Sequence, residues 1–283
     1  MNHTNQHSSA IRLHQRAFSL IEMMVAVSLL LVIIIGLFAM FSQAQRALKA
    51  GTTQVDIMEP GRATMELIAR DLQELMACKI TNVVNFHTAN TTSANPLRQT
   101  LPGPGSRVTE RVNELDEVFF LTLFNDRWNG VGYRVDGTND AMGTLYRFVT
   151  NAPIAAVGNL PRSFFTNSIH QLNGLVNPQF HRVLDGVVHF KAVPYRSNGE
   201  LYLPRDYDVL GDPQNILIAN DRRFYTFLND WLPAYVEVEL GVLEPGAREQ
   251  FKVQPPALRR KFLENKAAQV HLFRQRIPIR TAQ

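Results

Sequence analysis

A single carboxylate, Glu22, stands at the lip of an apolar run, Met23 to Phe41, interrupted only by Ser28. Its chemistry would be ionic, because a carboxylate at or inside a bilayer is costly unless it is paired or hydrated. Glu22 therefore marks headgroup depth as a boundary charge, or it meets a cation. The other reactive residue types are dispersed. Three of the eight histidines, His3, His7 and His14, precede Ala17. The remaining five, His87, His170, His181, His189 and His271, lie far apart, with no His-Glu-x-x-His or other paired metal spacing. His189 shares a strand face with Lys191, the pattern of a solvated or edge position. No nucleophile elbow, phosphate loop or dinucleotide fingerprint is present, and Gly103 to Ser106 reads as a turn.

Two further candidates are weaker still. Asp136, Asn139 and Asp140 offer hard oxygen ligands for calcium, but their spacing is not that of an EF-hand and is ordinary for a hairpin loop. The lone Cys78 can form neither an intramolecular disulfide nor a Cys-rich zinc site, and it reads as a small buried hydrophobe near a helix end. No catalytic residue, metal site or cofactor is expected, and the chain reads as no enzyme.

The elements that position Glu22 follow from hydropathy. The chain has 283 residues, 45% of them hydrophobic, enough for a large core. A helix needs about twenty apolar residues to cross a bilayer, and Met23 to Phe41 is close to that length. Arg12 and Arg16 precede it with no acidic residue in 1–17, so the N-terminus is expected to stay cytoplasmic while the rest crosses. A secretory signal peptide cut after Ser42-Gln43-Ala44 is one rival, although the run exceeds the usual apolar length of such peptides. A plain signal anchor is the other. Neither explains Glu22. The formal charge is only +4, and no basic stripe is interleaved with aromatics, so no nucleic-acid contact is expected.

Beyond Phe41 the residues to Ala50 are strong helix formers, while Gly51 to Thr53 and Glu59-Pro60-Gly61 should weaken or kink the helix near residue 60. Arg62 to Met76 is amphipathic, with Met65, Ile68, Leu72 and Leu75 on one buried face. Thr81 to Gly105 reads as a long loop. Strands are expected over 118–124, 131–135, 144–149, 183–195 and 270–279. Val236 to Val242 alternates with Glu237 and Glu239 as a one-sided strand. Residues 197–232 read as an insertion or small lobe. The fold class is α+β, divided as 1–17, a helix over 18–77 that spans the membrane over 20–41, and a β-rich domain over 78–283.

The stretch Arg16-Ala17-Phe18-Ser19-Leu20-Ile21-Glu22-Met23-Met24-Val25 resembles the prepilin leader site of type IV pilins and type II secretion pseudopilins. Where that family usually has Gly before the cut, this chain has Ala17, another small residue. The resemblance implies a pilin-like fold, a long N-terminal helix packed on antiparallel sheets. It implies cleavage between Ala17 and Phe18 by a prepilin peptidase and N-methylation of Phe18. It also implies pairing of Glu22 with the ammonium of a neighbouring subunit. The implied partners are that peptidase, other pilin or pseudopilin subunits and an inner-membrane assembly platform. The implied location is a single inner-membrane pass with a periplasmic domain, and the fibre after assembly. Gly61 to Glu74, with Arg70-Asp71-Leu72, is similar to a second signature found in J-type minor pseudopilins and W-type minor pilins. The lone Cys78 and the chain length fit a minor subunit better than a major pilin with a C-terminal disulfide loop. The alternative outside this class is a signal-anchored periplasmic enzyme or binding protein.

Overall fold

The computed structural model describes residues 19–91, 95–102, 108–136, 141–153, 164–165, 180–202, 216–219 and 224–280. The chain divides into two units, Met1–Thr52 and Thr53–Gln283. Helix α1, Leu20–Gln73, contributes residues to both.

In the second unit, α1 presents Met65, Ile68 and Leu72, and Leu75 follows just past its end; all four are buried in a common core with strand residues such as Phe86, Phe120 and Phe227. The stripe predicted from spacing is the stripe that packs. The expected weakening at Pro60 and Gly61 does not end the helix, which is assigned through both residues. The Thr64 hydroxyl donates to the Pro60 carbonyl at 2.8 Å, a side-chain bond of the kind that accompanies helix irregularity. Gly61 serves a close approach. A Cβ there would lie 2.3 Å from the Phe273 ring, so only glycine lets that ring pack against the helix.

Eleven strands follow among the described residues: β1 Val84–Asn90, β2 Leu97–Pro102, β3 Val108–Asn113, β4 Asp116–Phe124, β5 Arg127–Asp136 and β6 Gly143–Pro153. They continue with β7 Phe180–Tyr195, β8 Ile216–Ala219, β9 Phe224–Leu228, β10 Tyr235–Leu243 and β11 Val270–Pro278. Nine form one sheet in the order β11-β10-β7-β6-β5-β4-β1-β9-β8, with every neighbouring pair antiparallel. β2 and β3 pair separately. Alternation along β4 sends Phe120 into the helix-side core, while Phe119 and Leu121 join Cys78, Val83 and Phe164 in another cluster. Both faces of this strand are covered, which explains its unbroken apolar sequence. Architecture is therefore α+β, consistent with a pilin-like fold.

Several sequence expectations need correction. The expected loop over Thr81 to Gly105 contains β1 and β2. β1 is polar yet interior: Asn85 Oδ1 accepts the Cys78 N–H at 2.8 Å, His87 Nδ1 bonds Thr226 Oγ1 at 2.8 Å, and the Thr88 hydroxyl donates to the Ala192 carbonyl at 3.0 Å. A strand whose polar groups are satisfied internally carries a loop-like composition. The described residues of the 197–232 stretch, expected as a small lobe, add β8 and β9 to the same sheet beside β1. Two helices lie in a region left without elements, α2 Pro245–Lys252 and α3 Pro256–Glu264, each with proline in its first turn and no side-chain cap. Finally, β10 is not one-sided, because Glu237 is buried.

Candidate functional site

The Leu20–Leu48 part of α1 is long and apolar enough to cross a membrane, and none of its most apolar window is buried inside the chain. Leu30, Val32, Ile34 and Phe38 are all exposed. Both serines within it are closed on the helix itself. The Ser28 hydroxyl donates to the Val25 carbonyl and the Ser42 hydroxyl to the Ala39 carbonyl, each at 2.8 Å. A hydrocarbon surrounding would thus find no unsatisfied hydroxyl at either serine.

Glu22 occupies a specific geometry at the start of this helix. Its Oε2 accepts the Ser19 backbone N–H at 3.1 Å and the Ser19 hydroxyl at 3.2 Å, while its own N–H donates to Ser19 Oγ at 3.3 Å. This is a capping box: the side chains of residues three apart satisfy each other's amides at a terminus that would otherwise leave donors open. The carboxylate also lies at the positive end of the helix dipole. The Ser19-x-x-Glu22 spacing that announces such a box is present in the sequence. Ala17 and Phe18, the expected cleavage pair, lie outside the described residues.

The model of the prokaryotic N-terminal methylation motif matches residues 12–38. This chain carries that motif at its N-terminal end. The match spans the basic leader, the Ala17-Phe18 junction, Glu22 and most of the apolar run. It supports a type IV pilin or pseudopilin-like prepilin, a class that is structural, processed by prepilin peptidase and assembled with other pilins. No curated protein and no solved structure matches the chain.

Elsewhere, in the second unit, the other candidate residues prove to hold the fold. From the Arg70-Asp71-Leu72 signature, Asp71 is buried at the end of α1. It accepts Arg147 Nε at 2.6 Å, Arg147 Nη2 at 3.1 Å and the Tyr133 hydroxyl at 2.5 Å. Burial and the adjacent Asp71 charge push the Tyr133 phenol far above its ordinary range, so it stays a donor. Burial works against the Arg147 cation, but the bonds and charge of Asp71 outweigh it and raise its pKa. This triad fastens the helix to β5 and β6.

His189 is a correction. It is buried on interior strand β7, where Nδ1 accepts the Glu114 N–H at 3.0 Å and Nε2 lies 3.1 Å from Glu239. That hydrogen bond holds Glu239 below the usual carboxylate range, assisted by the charges of Lys191 and Arg274. Burial opposes ionisation of Glu237, yet hydrogen bonds from Arg274 and Tyr195 prevail and lower its pKa. Cys78 is buried and free, and burial pushes its thiol upward. Asp136 is exposed at the end of β5, while Asn139 and Asp140 lie outside the described residues. Among the described residues, no three His, Cys, Asp or Glu side chains converge to hold a metal.

Proposed function

We propose that the chain is a minor subunit of a type II secretion pseudopilus or type IV pilus, nearest in kind to the J-type or W-type components. Prepilin peptidase cuts between Ala17 and Phe18 and methylates the new Phe18 amine. The mature protein sits in the inner membrane through α1, with its second unit in the periplasm, until the assembly platform draws it into the fibre. There the apolar helix packs against those of neighbouring subunits. Burial is worth about 25 cal/mol per Å² of apolar surface, so a helix with no cover in its own chain gains much from such neighbours.

The carrying observation is an uncovered apolar helix headed by a carboxylate held in a capping box. Ser19 N–H, one of the groups bound to Glu22, belongs to the residue directly after Phe18. The box thus holds the carboxylate in the first turn of the helix, four residues along the sequence from Phe18. Inside a helix bundle an unpaired Glu22 would be costly, so pairing with a neighbour's Phe18 ammonium sets subunit register.

Intact-mass measurement of the protein from the membrane fraction tests this reading. A chain that starts at Phe18 and is one methyl heavier supports it. A chain that starts at Met1 or after Ala44 contradicts it and favours a signal-anchored periplasmic enzyme or binding protein.

A further inference from the structure

The positive charge of this chain has a location. Between Pro245 and Gln269, which comprise α2, α3 and a short 3-10 turn, six cations (Arg248, Lys252, Arg259, Arg260, Lys261 and Lys266) face two carboxylates, Glu249 and Glu264. That net +4 equals the formal charge of all 283 residues. Packing explains how so basic a segment folds. Ala247, Phe251, Leu263 and Ala267 are buried, and Arg260 Nη2 donates to the Pro96 carbonyl and, at 3.1 Å, to that of Asn95.

The connection between the two helices carries a second feature. Val253 is 79% exposed, the most exposed large apolar residue outside α1 among the described residues, and Leu258 is 50% exposed across Pro255 and Pro256. Lys252 and Lys261 are exposed on either side. Exposed Val253 and Leu258, flanked by Lys261 and by Lys252, which pairs with Glu249 at 2.7 Å, suit an anionic lipid interface, where the apolar groups enter the headgroup boundary and cations meet phosphates. Nucleic acid fits less well, because Phe251 is buried and Lys266 covers the Phe262 ring at 5.0 Å, so no aromatic platform is open for base stacking.

Chain connectivity limits how far this module can lie from the end of the candidate span. Pro245 and Arg248 line a cavity of about 250 Å³ together with Ile57 and Pro60 of α1. Ile57 is nine residues beyond Leu48, the end of the candidate span, and nine residues can part them by at most about 30 Å.

We infer that the α2–α3 module docks its Val253 and Leu258 tip and flanking lysines onto anionic lipid headgroups at the outer face of the anchoring membrane. This rests on the reading of α1 as a membrane anchor. Docking holds the waiting subunit against the bilayer, and it must be released when the subunit is drawn into a fibre.

The test uses the full chain with Cys78→Ala and a lipid-quenchable dye on Ala257→Cys, reconstituted in phosphatidylcholine vesicles with or without phosphatidylglycerol. Co-flotation with both vesicle types first reports anchoring, and its absence refutes the anchor reading rather than the docking. Given flotation, quenching by headgroup-depth lipid quenchers is expected only with phosphatidylglycerol, and it should vanish in high salt. Lys252→Gln with Lys261→Gln should weaken docking about fivefold per charge. Equal quenching in both vesicle types, or none in either, overturns the proposal. So does capture of a labelled oligonucleotide or acidic peptide by the module without lipid contact.

Discussion

The two ends of α1 differ in what covers them. Between Leu20 and Leu48 the helix is apolar and uncovered by its own chain, whereas from Ile57 to Leu72 one apolar face, Ile57, Met65, Ile68 and Leu72, is buried in the core of the second unit. One helix thus follows two rules of composition. The covered end shows a narrow apolar stripe at i, i+3, i+7 and i+10, and the uncovered end is apolar all round. Such an all-round surface demands a surrounding that the chain does not supply, whether lipid or other helices. The contrast teaches that the second unit's stability should be indifferent to the anchor, while assembly should depend on it.

Core truncation should break that contrast most strongly. Phe120→Ala removes a fully buried ring and should cost about 3–5 kcal/mol in denaturant unfolding of the second unit. Leu30→Ala, on the uncovered end, should leave the same transition unchanged. A large effect from Leu30→Ala would mean that the apolar run is covered by its own chain after all.

Next in size is the Asp71 triad. Asp71→Ala strands a partly buried guanidinium and a buried phenol, at a cost of about 3 kcal/mol. Arg147→Met with Asp71→Leu should recover part of that loss, which a double-mutant cycle would measure. A smaller effect is expected at Gly61→Ala. The added methyl meets the Phe273 ring, whose displacement should cost about 1–3 kcal/mol in thermal unfolding. Restoring stability with Phe273→Leu in the same background would trace the cost to this contact.

The smallest effect is set by pH. Glu237 and Glu239 have folded-state pKa values held below the ordinary carboxylate value of about 4.3. Their contribution is therefore complete above that value and declines as pH falls through the lower, folded values. Unfolding midpoints followed down from neutral pH should drop through this acid range, and Glu239→Gln should flatten the profile.

Legibility in the sequence followed the same division. The membrane-length run, Glu22 and the Met65-Ile68-Leu72-Leu75 stripe were readable because each is a local pattern with one physical meaning. β1 was missed because its asparagines, histidine and threonine look like loop until their distant partners, Thr226, Asn229 and Ala192, are placed. Glu237 looked solvated because alternation cannot reveal that Arg274, Arg276 and Tyr195 converge over it. Helices α2 and α3 lack the usual polar N-caps, although Pro245 and Pro256 were legitimate start signals. The Ser19–Glu22 box was available from spacing alone. The attachment of Asp71 to Arg147, seventy-six residues away, was not.

The most direct measurement pairs two readouts on Glu22→Ala: incorporation of the subunit into isolated fibres, and thermal unfolding of its second unit. The account predicts that incorporation collapses while the unfolding temperature holds. Normal incorporation would contradict the assembly role of the carboxylate, and a lowered unfolding temperature would show that Glu22 serves the fold instead.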